Sequence, residues 1–219
     1  MIGRDFQGRL RRRAQKAGVT LSADVSSRLE AYYELLDRWN QKINLTALTL
    51  ASGDEAIDRL LVEPLVAARS VQPGDTTLID IGSGGGSPAL PLAIAAPGLS
   101  LTMVEVKVRK SAFLREAVRV LGLDARVLTS RYEALLADPA MHEFASLLSL
   151  RAVRVDAKTL LGIQAFVRPG GRMLLFRPSG STGEIDAPPP LATVESIPLV
   201  ESLRSQLVIL RKDQVGMRR

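Results

Sequence analysis

The stretch Leu78-Ile79-Asp80-Ile81-Gly82-Ser83-Gly84-Gly85-Gly86 constrains what this chain can fold into more than any other. A short apolar run ends in an acid and opens into a loop nearly free of side chains. Glycine has no Cβ to clash and tolerates positive φ, so such a loop lets backbone N–H groups approach a ligand closely. About twenty residues on, a second apolar run, Leu101-Thr102-Met103-Val104, also ends in an acid, Glu105. Strand, glycine loop, helix, strand, acid is the layout of a nucleoside-binding βαβ unit. Its second acid is placed to accept hydrogen bonds from ribose hydroxyls.

Two cofactor classes share that layout. The dinucleotide fingerprint G-x-G-x-x-G would put its third glycine at residue 87, where this chain has Ser87. The form present, G-x-G-x-G preceded by an acid, resembles motif I of class I S-adenosylmethionine methyltransferases. S-adenosylmethionine has no pyrophosphate to seat at a helix N-terminus, and its methionine end carries an ammonium for which Asp80 is a nearby anion. A dinucleotide site and a flexible loop without ligand are the other readings of the loop. The pairing of two acids at two strand ends favours S-adenosylmethionine.

Composition narrows the field. The 219 residues suit one domain, or one domain with a modest extension, and 46% hydrophobic content can bury a full core. There is no cysteine and a single histidine, His142, which excludes disulfides, Cys/His zinc sites and cysteine nucleophiles; no metal is expected. Residues 81–104 carry no formal charge, yet five glycines and three prolines break them, and such a backbone could not satisfy itself in lipid. With no apolar leader segment, a cytoplasmic protein without membrane contact is expected. The net charge is +6, with Arg9, Arg11, Arg12, Arg13 and Lys16 near the start and Arg211, Lys212, Arg218 and Arg219 at the end. Such clusters suit a polyanionic partner, and equally suit solvated ends that keep the chain soluble.

Residues 1–72 read as a helical extension and 73–219 as the main domain. Ser22 can cap a helix with apolar positions Val25, Leu29, Tyr32, Tyr33, Leu36 and Trp39, ending at Asn40. A second helix is expected to begin near Ser52, with Pro64 kinking or ending it. Gln72-Pro73-Gly74-Asp75 is a turn. Strands are expected near 77–81, 101–105, 125–129, 145–150 and 172–177, and helices at 90–96, 109–121 and 156–166. Gly122 sits at a helix C-cap and Pro169-Gly170-Gly171 at a turn before the fifth strand. This is an α/β, Rossmann-like, doubly wound, mostly parallel sheet. After Pro188-Pro189-Pro190, read as a stiff extended loop, runs 191–200 and 205–211 form a terminal antiparallel pair. Ligands in such sheets bind beyond the carboxyl ends of the strands. That gathers Asp80, the Gly82–Gly86 loop, Glu105, residues 130–133 and residues 149–154 around one cleft.

Methyl transfer from a sulfonium is an in-line displacement, so the main work is alignment and exclusion of water. A neutral nitrogen acceptor needs no general base, which suits a chain whose only histidine lies outside the expected cleft. The covalent route to pyrimidine C5 needs a cysteine, and there is none. The Asn/Asp-Pro-Pro-aromatic motif of exocyclic amine methylation is replaced here by Leu148-Ser149-Leu150-Arg151-Ala152-Val153-Arg154. Arginine's planar fork of donors suits phosphate or guanine; alternatively, Arg151 only pairs with Glu133 or another cleft acid. Arg131, Tyr132 and Glu133 occupy the position that frames an adenine, or else simply begin a surface helix. Lys107, Arg109 and Lys110 face RNA phosphate or form a solvated first turn.

The segment Leu35-Leu36-Asp37-Arg38-Trp39-Asn40-Gln41-Lys42-Ile43-Asn44-Leu45-Thr46 resembles the L-x-x-W-N-x-x-I-N-L-T signature of bacterial 16S rRNA guanine-N7 methyltransferases, long called glucose-inhibited division protein B. Asp80–Pro88, Leu90–Ile94, Val104-Glu105, Arg131-x-Glu133, Arg151-Ala152-Val153 and Gly170-Gly171 agree with it. The likeness spans about residues 30–176. It implies a class I methyltransferase fold with a seven-stranded sheet. It also implies S-adenosylmethionine as cofactor, and 16S rRNA or the small ribosomal subunit as partner of a monomeric enzyme. Gly82, Ser87, Tyr132, Glu133 and Arg151 would contact the cofactor, joined on the general class I pattern by Asp80, Gly84, Gly86, Glu105 and Arg131; Arg151 is the catalytic candidate. The acceptor would be a guanine of the decoding-region loop. Another RNA, a small-molecule acceptor or a non-catalytic RNA-binding role are the competing readings. The chain departs from the family where His-x-x-Asp-Ser-Leu becomes Leu60-Leu61-Val62-Glu63-Pro64-Leu65, and at Ser87, Ala89, Ala145 and Arg177-Pro178.

Overall fold

The computed structural model describes residues 5–51, 53–151, 155–179, 185 and 187–213. Seven strands form one sheet: β1 (Thr77–Ile81), β2 (Ser100–Val104), β3 (Ala125–Leu128), β4 (Ala145–Arg151), β5 (Val167–Pro178), β6 (Leu191–Pro198) and β7 (Ser205–Lys212). Their spatial order is β3-β2-β1-β4-β5-β7-β6. The first five are parallel, and β7 runs antiparallel between β5 and β6. The expected doubly wound sheet and terminal antiparallel pair are both present.

Alternate residues along each strand face opposite layers. Leu78, Leu101, Met103, Leu147, Leu174 and Phe176 join one apolar cluster. It includes the helices α1 (Phe6–Lys16), α2 (Ala23–Asn40), α5 (Ala89–Ala95) and α6 (Val108–Leu121) and the helical run of residues 54–67, which opens as α3 (Asp54–Ile57). Ile79, Ile81, Leu148, Leu150, Met173 and Leu175 join the other, with α8 (Ala157–Ile163). Both faces of the sheet are covered, which is why the parallel strands read as nearly unbroken apolar runs. The N-terminal helices share one core with the sheet: Phe6, Leu10 and Ala14, four apart on α1, are buried, and the Phe6 and Tyr33 rings lie 4.8 Å apart.

Local signals behave as expected at several points. Ser22 Oγ accepts from Val25 N at 3.2 Å, and Gly122 closes α6 in the left-handed conformation. Asp75 N donates to Gln72 O across the expected turn. Others need correction. Pro169-Gly170-Gly171 is not a turn ahead of β5 but a bulge inside it: pairing steps from Ala145↔Val167 to Leu147↔Arg172. A Cβ on Gly171 would stand 2.9 Å from Ser146 O, so only glycine lets the bulge lie against β4. Pro188-Pro189-Pro190 makes a turn, with Leu191 N on Pro188 O, rather than an extended loop. The expected start near Ser52 lies outside the described residues; the helix runs from Asp54 and is not ended by Pro64. It widens to π geometry over Asp58–Val62 and resumes as α4 (Glu63–Ala67), so Pro64 falls in a first turn, where no N–H is needed. Among the described residues, no helix is long and apolar enough to cross a membrane.

The basic ends are less available than their sequence suggests. Arg9 and Arg13 of α1 pair with Asp54 and Asp58, Arg12 with Asp5, and buried Lys212 with Glu143. Arg218 and Arg219 lie outside the described residues.

Candidate active site

The carboxyl ends of β1, β2 and β4 meet at the cleft. Asp80 and Ser149 are register partners on neighbouring strands and face the same layer, as does Arg151 two residues on. Asp80 is buried, and Ser149 Oγ donates to its Oδ1 at 2.5 Å. Its Oδ2 is buried without a partner. Burial lifts the Asp80 carboxyl to about 6, against the pull of the Ser149 and Ser83 hydrogen bonds.

The glycine loop departs from the simple expectation of free donors. Gly82 N and Ser83 N donate to Val104 O, Gly86 N to Ser83 O, and Gly84 N to Glu105 Oε2 at 2.9 Å. What the loop offers is clearance. Gly82 and Gly84 have φ of +74° and +53°, and a Cβ on either would point into open space, with nothing nearer than Gly82 O at 3.7 Å from Gly84. Gly86 serves packing instead, since a Cβ there would strike the Leu90 side chain at 2.4 Å. Glu105 is buried and bridges Gly84 N and Lys107 N. A carboxylate has about four lone-pair sites, so acceptor capacity remains.

The loop is buttressed from the N-terminal helices. Tyr32 Oη donates to Gly85 O at 2.6 Å, and burial raises that hydroxyl well above the ordinary phenol range. Asn40, the last residue of α2, accepts from Leu45 N and Thr46 N through Oδ1. That brings Leu45 O within 3.3 Å of where a Gly85 Cβ would stand. Trp39 meets Phe113 of α6 edge-on, centroids 5.8 Å apart. The Trp-Asn segment thus positions the glycine loop.

Arg151 closes the other side. Its Nη1 donates to Glu63 Oε2 at 2.7 Å and to Arg59 O at 2.8 Å, and its guanidinium lies 4.8 Å over the Phe176 ring. Burial lowers its pKa and Glu63 opposes that. Nε and Nη2 have no hydrogen-bond partner, nor does Glu63 Oε1, which faces Arg59 Nη1 at 3.6 Å. The neighbouring helix explains the arrangement. Glu63 N donates to Asp58 O in the π register, and Pro64 has no N–H, so the carbonyls of Arg59 and Leu60 are left for side chains. Arg151 takes the first; Ser87 Oγ takes the second at 2.8 Å. The Ser87 hydroxyl is therefore committed to this helix. The acid partner of Arg151 is Glu63, not Glu133.

Arg131, Tyr132 and Glu133 begin a one-turn helix, α7 (Tyr132–Leu135). Arg131 and Glu133 are exposed; Tyr132 is half-buried, its ring 3.4 Å from where a Gly162 Cβ would stand on α8. Ala152, Val153 and Arg154 lie outside the described residues. Sequence reading missed Glu63 and Tyr32, and placed Ser149 in the cleft only as part of residues 149–154, without a role. Ser149 was detectable as the polar residue in the apolar run Leu147–Leu150, while Glu63 and Tyr32 gave no local signal.

The family model for rRNA small subunit methyltransferase G matches residues 25–205. The chain belongs to that family. It is 44% identical to ribosomal RNA small subunit methyltransferase G of Stenotrophomonas maltophilia over 75% of this chain and 70% of the relative. With the Neisseria meningitidis protein of that name, identity is 32% over 93% and 97%. The family makes it an S-adenosylmethionine-dependent rRNA methyltransferase. Solved structures agree on the fold. TrmN from Thermus thermophilus aligns with a TM-score of 0.53 at 18% identity, over 71% of this chain and 53% of that one. A mutant of MtNAS in complex with S-adenosylmethionine aligns with 0.51 at 14%, over 95% and 73%.

Proposed function

We propose that this methyltransferase acts on N7 of a guanine in the decoding-region loop of 16S rRNA, presented as free rRNA or in the small ribosomal subunit. The observation that carries this reading is Arg151. Its Nε and Nη2 are two buried donors without a partner at the end of β4, suited to the O6 edge of a purine, and among the residues described around the cleft no histidine or cysteine stands beside them. Alkylation at N7 leaves a cationic ring with no proton to remove, so positioning suffices.

S-adenosylmethionine supplies the electrophilic methyl group. The residues fit it. Asp80 Oδ2, buried and unpaired, is an acceptor for the methionine ammonium. Gly82 and Gly84 leave room above the backbone, and Glu105 takes the ribose hydroxyls on its remaining lone pairs. Ser87 holds the loop to the 54–67 helix beside the cofactor, and Gly86 sets its packing. Arg131, Tyr132 and Glu133 flank the adenine, with the Tyr132 ring as its cover. Arg151 bridges the cofactor and the acceptor base.

Small subunits prepared from cells lacking the enzyme are the test. Incubation with the protein and labelled S-adenosylmethionine should place one methyl group on a decoding-region guanine, mapped by mass spectrometry of nuclease fragments. Label on another RNA or on a small molecule instead, or subunits from the deletion strain already carrying the methyl group, would sink the assignment.

A further inference from the structure

A groove of about 500 Å³ runs between the C-terminal half of α2 and the first turns of α6. Arg38 and Lys42 line one side, Arg109 the other, and Trp39 and Ile43 form its apolar floor. The one acid, Glu116, is held by Arg119 through two hydrogen bonds of 2.7 and 2.9 Å. Arg38, Lys42 and Arg109 are exposed and make no ion pair within 4 Å among the described residues, although Arg38 is near enough to favour the Glu116 carboxylate. Lys107, also exposed, stands at the α6 N-cap two residues after Glu105. This contrasts with α1, where Arg9 and Arg13 are matched by Asp54 and Asp58.

We propose that this groove docks the single-stranded rRNA flanking the acceptor base, with phosphates on Arg38, Lys42 and Arg109 and a base stacked on Trp39. The inference rests on the rRNA-methyltransferase reading and adds where the substrate is held. Exposed cations along a channel with an aromatic floor are what a single strand requires: charge tracks the backbone, and a ring stacks any base without reading it. The placement suits the cleft. The same helix α2 that lines the groove puts Tyr32 Oη on Gly85 O, and α6 starts just beyond Glu105, which holds Gly84 N. Leu45, three residues after Lys42, sets its carbonyl 3.3 Å from where a Gly85 Cβ would stand, and Arg109 follows Glu105 by four residues, so both walls of the groove adjoin the glycine loop.

Trp39 is the only tryptophan of the chain, so its fluorescence reports on the groove directly. Saturating 16S rRNA should quench it, and S-adenosylmethionine alone should not. The triple variant Arg38→Gln, Lys42→Gln, Arg109→Gln removes exposed charges only. Its melting temperature and cofactor affinity should match the parent, which establishes that it folds. Its rRNA affinity should fall tenfold or more, and the slope of log K against log salt should shrink by about 2, from roughly 0.7 per phosphate contact on a single strand. Unchanged affinity and slope, with Trp39 emission unmoved by saturating rRNA, overturn the proposal. So does loss of activity on assembled subunits with naked-rRNA binding intact, because the groove then meets a ribosomal protein. If the parent itself neither binds nor methylates small-subunit RNA, the functional reading fails first and takes the groove with it.

Discussion

The glycine loop after β1 has four of its N–H groups bonded within the protein. The charged trio beside it, Asp80, Glu63 and Arg151, keeps four buried atoms without a hydrogen bond: Asp80 Oδ2, Glu63 Oε1 and Arg151 Nε and Nη2. One region is complete without a ligand and contributes shape. The other is incomplete and, on the proposed reading, contributes affinity. Unpaired buried polar atoms cost roughly 1–3 kcal/mol each, and a ligand that pairs them recovers that. The difference teaches that a glycine-rich loop need not be a donor cradle; here it is an absence of side chains, held open by Tyr32, Glu105 and Ser87.

The contrast can be broken most severely at Arg151. Arg151→Ala leaves buried Glu63 with only Arg59, 3.6 Å away, so stability should fall by roughly 3–5 kcal/mol. Turnover on small subunits should drop with it. Urea unfolding at pH 7.5 checks the first; a stability change under about 1 kcal/mol would mean the pair is solvated.

Asp80→Asn should have the opposite sign in the free protein. Burial raises this carboxyl from 3.8 to about 6. Between those values the folded chain holds a proton that the unfolded chain has released, so stability falls as pH rises through that window. The total is on the order of 3 kcal/mol. The variant should be more stable at pH 8, lose that pH slope, and bind S-adenosylmethionine more weakly. In the parent, cofactor affinity should weaken as pH drops below about 6, where Asp80 is neutral. Calorimetry at pH 5 and pH 8 reads this, and equal affinities would remove Asp80 from the ammonium.

Gly84→Val tests the loop side. The added side chain enters open space at φ +53°, at a folding cost of roughly 1–2 kcal/mol, and should cut cofactor affinity by about 100-fold. Undiminished affinity would show that the ligand does not lie over Gly84. The smallest effect is expected from Ser149→Ala. It removes a hydrogen bond to the ionised Asp80, worth about 1 kcal/mol, and should move the pH midpoint of cofactor binding upward by under one unit.

Much of the fold was legible because it follows local rules. Apolar runs bounded by Gly, Pro and Asp marked β1 to β4 to within a residue, and Ser22 and Gly122 capped their helices as their chemistry demands. Pro169-Gly170-Gly171 misled because a bulge and a turn use the same residues, and only the pressure of Ser146 on Gly171 distinguishes them. Arg9, Arg13 and Lys212 read as surface charge because their acids lie 45, 45 and 69 residues away in sequence.

By itself, then, the chain determined that a bare loop would stand between two acids at the ends of two parallel strands, since strand periodicity and glycine sterics act over a few residues. Tertiary structure alone decided which charges are occupied. Pro64 and the π turn before it free two carbonyls, and Arg151 and Ser87 reach them from β4 and the glycine loop. Hydrogen bonds and ion pairs depend on distances of a few ångströms between remote segments, and these exist only once the core has closed.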